Sequence, residues 1–269
     1  MLKAKFGLLR KSGTPESVSI GEKLIGLLPS SRIDPDHGGT VKANLDNCLD
    51  FTLRTVPDFL ERISTKDVLD FGCGLGWQSA AIAQRNVARS VTGLDIRLFN
   101  EQAETARKAG VSDRVSFVPD VEGRQFDVVY SCSAFEHFSG PEAVLRKMID
   151  VTRPGGQIII TWAEPWWSPN GSHMTGYTGF PWSNVWFSEK TLMRVRSKYR
   201  SDGAQKFSDV EGGLNQMTIR RFEKIIGACG VPIEFYKLWP VRGMPLVSSI
   251  PVVREFWTAA ISCVLRKVP

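Results

Sequence analysis
The stretch 68–77, VLDFGCGLGW, constrains this chain more than any other. It begins as an apolar run and carries one acid, Asp70, at its end. Three glycines follow at alternate positions, Gly72, Gly74 and Gly76, and a helical-looking stretch, 78–85, comes next. The pattern predicts a buried strand, a tight turn and a helix start. Glycines at such a turn let the backbone bend sharply and leave room for a ligand. The free N–H groups and the positive helix end then face whatever lies in the crevice.

A second strand, 90–95, ends in Asp95. An acid about twenty residues past such a turn is placed to hold a ribose hydroxyl pair. The plainer alternative is a doubly wound sheet whose turn holds nothing. The spacing also separates ligands. A dinucleotide fingerprint reads G-x-G-x-x-G. Here the order is G-x-G-x-G, with an acid two residues before the first glycine. This arrangement resembles motif I of the class I S-adenosylmethionine-dependent methyltransferases. The resemblance implies that Asp70, Gly72, Gly74 and Gly76 line the methionine side of the cofactor and that Asp95 takes the ribose. It runs continuously from 68 to about 161.

Strand and helix alternate through this part. Strands are expected at 67–71, 91–95, 115–118, 126–131 and 157–162, and helices at 77–85, 100–109 and 141–151. Gln102, Glu104, Arg107 and Lys108 are the wet positions of the second helix. Arg153-Pro154-Gly155-Gly156 is a strong turn signal after the third. Such alternation implies a parallel sheet with helices on both faces. Further on, helices are expected at 189–199, capped by Ser188, and at 219–229, capped by Thr218 and stopped by Gly230. A strand at 233–239, a proline-bearing connection at 240–251, a short helix within 252–260 and a strand at 261–266 follow. That ending resembles the methyltransferase sheet, in which strand seven inserts antiparallel between five and six. The expected fold is thus a Rossmann-like three-layer α/β sandwich with a seven-stranded, mostly parallel sheet. It divides into an N-terminal cap (1–64), a cofactor-binding core (65–163), an aromatic insertion (164–214) and a C-terminal completion of the sheet (215–269).

Ligands sit beyond the carboxyl ends of such strands. Asp120 ends strand three. The resemblance implies that it and the backbone N–H of Val121 read the adenine edge; a simple turn after Pro119 is the alternative. Strand four runs from Ser131 into SCSAFEHF, residues 131–138, which brings polar groups, Ser131 among them, toward the cofactor. The Glu136-His137 pair resembles the E-H motif found after strand four in many small-molecule and lipid methyltransferases. The wording of 134–138 is close to the fatty-acid cyclopropane and mycolic acid synthases.

Methyl transfer from a sulfonium needs an acceptor held in line and, for a hydroxyl, a base for its proton. Histidine titrates near working pH. The chain has three, His37, His137 and His173. His137 is the first candidate base, with a purely orienting role as its alternative, and His173 is the second. His37 reads as a loop residue.

The least generic stretch is 164–188, with Trp166, Trp167, Tyr177, Phe180, Trp182, Trp186 and Phe187 among many Gly and Pro. So many aromatics do not suit a plain exposed loop. It reads as a lid or recognition element whose rings, with Asn170, Ser172, His173 and Asn184, suit a sugar or flat molecule. A second small core over the sheet edge is the other reading, and both can hold. Residues 201–213 read as polar and flexible.

Composition removes other classes. With 42% hydrophobic and 23% charged residues it is ordinary for a soluble domain. No apolar run reaches membrane-spanning length, and Leu8-Leu9 is too short for a signal core. A cytoplasmic location follows as the default. Five cysteines without a C-x-x-C pair argue against a disulfide frame or zinc site, and no dense acidic cluster marks a metal. The net charge of +6, concentrated at 3–11, 190–200 and Arg220-Arg221, reads as a solvated face rather than a nucleic-acid track.

The expected protein is a methyltransferase that uses S-adenosyl-L-methionine to methylate an oxygen of a small-molecule or glycan-type acceptor. N-, C- or lipid methylation and a cofactor-binding scaffold without turnover are the alternatives. A nicotinamide dehydrogenase is disfavoured by the glycine spacing.

Overall fold
The computed structural model describes residues 19–28, 45, 47–98, 100–121, 123–210, 212–241 and 250–269. The basic cluster 3–11, the loop 30–40 with His37 and most of the connection 240–251 lie outside the described residues.

Seven strands form one sheet: β1 (Asp67–Phe71), β2 (Ser90–Leu94), β3 (Val115–Val118), β4 (Phe126–Cys132), β5 (Thr152–Ala163), β6 (Ile233–Pro240) and β7 (Thr258–Arg266). Their order is β3-β2-β1-β4-β5-β7-β6. The pairs from β3 to β5 are parallel, and β7 runs antiparallel between β5 and β6. The parallel part is what the alternation implied, and the antiparallel β7 is what the methyltransferase resemblance implied.

The sheet is buried on both faces because its strands alternate between two cores. Leu69, Phe71, Val129, Ile158, Ile160, Trp162, Ile261, Cys263 and Leu265 face the helices Pro141–Asp150 and Ile219–Ala228. Val68, Val128, Tyr130, Ile159 and Val264 face the opposite layer, which includes Leu49, Phe59, Ile63 and the helix Trp77–Gln84. On the first face Phe222 stands edge-on to both Phe135 and Trp162, with ring centroids 5.2 and 5.7 Å apart.

Three local expectations are corrected. The 153–156 turn signal does not end the pairing: β5 already begins at Thr152, paired with Phe126, and the extra residues are absorbed as a bulge. Gly155 takes φ +75° there, and a Cβ on Gly156 would lie 2.7 Å from the Asp127 carbonyl oxygen. The helix within 252–260 is only Arg254–Trp257, because β7 starts at Thr258 to pair with β6. Gln102 is not wet but buried, and its Nε2 donates to the Gly74 carbonyl at 2.6 Å. Among the described residues no helix is long and apolar enough to cross a membrane.

A third core lies in the insertion. Trp166, Met174, Leu192, Met193, Val195, Ala204, Phe207 and Leu214 pack around Ile25 of the helix Ile20–Gly26. Glu22 of that helix closes a capping box with Ser19 and pairs with Arg194 at 3.3 Å and Lys198 at 3.5 Å. Residues 201–213, expected to be loose, therefore contribute Ala204, Phe207 and Val210 to a packed cluster.

Phe222 is fully buried and couples the Phe135 turn to β5. Phe222→Ala is expected to cost about 3–5 kcal/mol of unfolding free energy, measured as a lowered urea midpoint.

Candidate active site
The turn after β1 is held by its neighbour strand. The backbone N–H groups of Gly72 and Cys73 both donate to the Leu94 carbonyl, at 2.8 and 3.0 Å. Gly72, Gly74 and Gly76 adopt φ +79°, +51° and +78°, a region that costs any other residue strain. A Cβ on Gly76 would lie 2.6 Å from the Phe117 ring, whereas one on Gly74 would meet nothing within 4 Å. Gly74 is thus the glycine that opens onto free space. Its N–H donates to Asp95 Oδ2 at 2.9 Å, and the N–H of Arg97 donates to Oδ1 at 3.1 Å.

A cavity of about 280 Å³ lies at these strand ends. Gly72, Gly74, Asp95, Ile96, Arg97, Ser133, Ala134, His137, Phe138 and Gly212 form its wall. Of the sequence-predicted cofactor residues, Gly72, Gly74 and Asp95 come together there. Asp70, Gly76, Asp120, Val121 and Ser131 are not in that wall. Asp70 is buried and accepts a hydrogen bond from Ser79 Oγ at 2.6 Å, so it ties β1 to the next helix. Burial pushes its carboxyl up to about 6. Asp120 accepts from the Val121 N–H at 2.7 Å and from Lys147 Nζ at 3.0 Å. Ser131 Oγ is buried without a hydrogen-bond partner among the described residues.

The turn Phe135–His137 carries the first candidate base. Asn215 clamps it: its side-chain Nδ2 donates to the carbonyls of Phe135 and Phe138 at 2.9 and 2.8 Å, and its backbone N–H donates to that of Glu136 at 2.9 Å. His137 Nδ1 lies 2.5 Å from the Gly213 carbonyl oxygen. A carbonyl only accepts, so Nδ1 carries the proton and Nε2 is the basic nitrogen of the neutral ring. Burial, opposed by that hydrogen bond, lowers the pKa of His137 below the ordinary histidine value. The chain approaches this closely at Gly212, where a Cβ would lie 3.3 Å from Nδ1.

His173 joins it from the insertion, edge-on, with ring centroids 5.4 Å apart. Burial, and then the neighbouring His137, push His173 down to about 4. Both imidazoles are therefore neutral at pH 7. The sequence singled out the two histidines separately, and the fold makes them neighbours. Glu164 Oε2 lies 3.9 Å from His173 Nε2. Ser133, Glu164 and His173 all hold positive φ, at +48°, +62° and +55°. Three non-glycine residues in that strained region mark the carboxyl ends of β4 and β5 and the insertion above them.

Beyond His137 a second cavity, of about 440 Å³, shares Gly74 and His137 with the first. It is lined by Leu75, Ser172, His173, Met174, Tyr177, Met193, Arg196, Arg200, Phe207, Val210 and Leu214. Most of the insertion's aromatics do not face it. Trp166 packs on Trp167 and Phe207, Phe180 on Phe187, and Trp182 on Trp257. Asn184 Nδ2 donates to the Trp166 carbonyl at 2.6 Å, and Ser172 bonds Ser183 at 2.7 Å. The reading as a second core thus accounts for most of these side chains, while Tyr177 and His173 remain on the cavity. Arg196, Arg200, Gly212, Gly213 and Asn215 were missed as site residues. The only sequence signal for the arginines was a basic cluster, and for Gly212-Gly213 a dipeptide typical of any turn.

Glu136 is buried, its Oε2 without a partner among the described residues, and burial, helped by Glu164, pushes its carboxyl up to about 8. The folded state keeps its proton while the unfolded chain releases it, so stability falls as pH rises from the ordinary carboxyl range toward about 8. Glu136→Gln, which cannot ionise, is expected to remove that loss. Urea midpoints of the two proteins should converge at about pH 5 and separate in favour of the variant toward about pH 8.

Known proteins resemble the chain over the same region. The methyltransferase domain family matches residues 45–205. A tRNA U34 carboxymethyltransferase of Pseudoalteromonas atlantica is 26% identical over 179 residues, 63% of this chain and 55% of that protein. A ubiquinone biosynthesis O-methyltransferase of Pseudomonas aeruginosa is 34% identical over 107 residues, 37% of this chain and 45% of its own length. The chain thus spans about half the length of these two relatives. The methyltransferase in complex with the Trm112 activator of Haloferax volcanii superposes with a TM-score of 0.53 at 15% identity, over 89% of this chain and 99% of that one. That likeness is one of fold. With the family match spanning more than half of its residues, the chain belongs to the class I S-adenosylmethionine-dependent methyltransferases, whose cofactor is S-adenosylmethionine.

Proposed function
We propose that this protein transfers a methyl group to a hydroxyl oxygen of a small-molecule or glycan-type acceptor. The observation that carries this reading is His137. It stands in the wall of both cavities, with its proton fixed on Nδ1 by the Gly213 carbonyl and its Nε2 basic at neutral pH. The similarity to a ubiquinone biosynthesis O-methyltransferase agrees with an oxygen acceptor. A 440 Å³ cavity is in the range of small-molecule sites. With most insertion rings turned onto one another, a small molecule is favoured over a stacked sugar.

The residues of the smaller cavity fit the cofactor. Each oxygen of Asp95 accepts one backbone N–H and retains further acceptor capacity, which suits the two hydroxyls of a ribose. Gly74, with no side chain and free space before it, leaves room for the amino acid part. Ile96, 91% exposed and in the same wall, offers an apolar surface to the base. S-adenosylmethionine supplies a methyl group activated on a sulfonium sulfur. The protein's share is then to orient the acceptor and take its proton. Asn215 and Gly213 fix the imidazole, and Nε2 of His137 accepts the proton of the acceptor hydroxyl. Neutral His173, packed on His137, adds no charge that would oppose the imidazolium formed.

Asp95→Ala is expected to weaken S-adenosylhomocysteine binding by about tenfold or more, since it removes a charged hydrogen-bond acceptor; calorimetry measures this. His137→Ala is expected to keep that binding and to lower turnover by about 10²–10⁴. Wild-type turnover should be flat at neutral pH and fall only below about pH 6.5, because protonating Nε2 removes the base and the pKa is depressed. Full turnover by His137→Ala would refute the base assignment.

A further inference from the structure
The larger cavity has a charged end. Arg196 and Arg200 stand in its wall, and among the described residues no carboxylate does. The two arginines differ in what they already hold. Arg196 is buried and forked onto Asp202, with Nη1 and Nη2 donating to its two oxygens at 2.6 and 2.5 Å. Its guanidinium also lies 6.0 Å from the centre of the Tyr177 ring. Arg200 donates its Nε–H to Tyr177 Oη at 3.0 Å, and this is its one side-chain hydrogen bond among the described residues. Its two terminal nitrogens keep the planar fork that matches carboxylate and phosphate oxygens. Among the described residues, Asp202 takes the fork of Arg196 and no carboxylate hydrogen-bonds Arg200.

Between this end and the His137 end the wall is mainly apolar, from Leu75, Met174, Met193, Phe207, Val210 and Leu214, with Ser172 beside them. In such surroundings a charged partner is worth more than in water. We propose that Arg200, positioned by Tyr177, binds an oxyanion on the acceptor, so that the substrate is an acid with an apolar body. This inference rests on the reading of the 440 Å³ cavity as the acceptor site. The His137 end receives the group to be methylated, and the Arg200 end receives a carboxylate or phosphate. Arg196, already neutralised by Asp202, positions Tyr177 rather than reading the ligand.

The test is equilibrium binding to the full chain saturated with S-adenosylhomocysteine. Two matched pairs serve as probes: 3-phenylpropionate with 3-phenylpropionamide, and phenyl phosphate with phenol. At least one anion is expected to bind about tenfold or more tightly than its neutral partner, and comparing the two pairs tells carboxylate from phosphate. Arg200→Met should abolish the preference and Arg200→Lys should restore part of it, with S-adenosylhomocysteine affinity unchanged in both. Equal binding of anion and neutral partner, a preference that survives Arg200→Met, or no binding of either anion at about 10 mM would overturn the proposal. An anion preference lost in Arg200→Met, in a protein that methylates no hydroxy acid, would leave the oxyanion site standing and refute the O-methylation reading instead.

Discussion
The bend after β1 is the constraint on which the rest of the site depends. One carbonyl, that of Leu94, receives two successive N–H groups from the bend, and the Asp95 carboxylate receives a third from Gly74. The end of β1 is therefore fastened to the end of β2 before any ligand arrives. Gln102 reaches in from the next helix and takes the Gly74 carbonyl, so the bend is held from both sides. Three positive-φ residues in five favour glycine along this path, and a Cβ on Gly72 or Gly76 would also collide with Ala134 or Phe117. Asp70, buried behind it, links β1 to Ser79 and keeps the helix start in place. The Asp95 carboxylate is thus oriented by backbone donors, which suits the ribose contact proposed for it.

The proposed catalytic side is assembled differently. Its histidines come from two remote stretches, and each is held by parts of the chain with no sequence mark of function. His137 sits on a single 3₁₀ turn, too short to be stable alone, and Asn215 supplies that turn with three hydrogen bonds. Gly213, two residues earlier, sets the tautomer. His173 is carried by an insertion whose own small core packs on the helix Ile20–Gly26. That core gives a stretch rich in Gly and Pro a rigid surface, as the proposed acceptor site requires. The cost is local: Ser133, Glu164 and His173 are kept in a backbone region they would not choose.

Much of this was legible beforehand for a physical reason. Strands buried on both faces are nearly continuous apolar runs, and glycine turns at their ends admit few substitutes, so β1 to β4, the helices between them and the Asp95 terminus stand out locally. Errors fell where local signals met a stronger tertiary demand. The 153–156 turn chemistry lost to pairing with β4 at Phe126. Gln102 was drawn inward by an unsatisfied carbonyl in the glycine turn. The aromatics of 164–188 are too many for a plain loop, and several of them join the packed cluster around Trp166. No local rule tells whether a ring will face a ligand or another ring, and most face rings.

By itself the sequence determined the layered sheet, the glycine bend, the acid at the end of β2 and the family to which these belong. All are encoded in residues within a few positions of one another, where periodicity and backbone conformation decide the outcome. Only the tertiary structure decided that His137 and His173 meet, which nitrogen of His137 is basic, and that Arg196 and Arg200 close an apolar cavity beside them. Those depend on contacts between residues tens of positions apart. Burial, charge pairing and the direction of a hydrogen bond are properties of the assembled environment, not of the side chain that carries them.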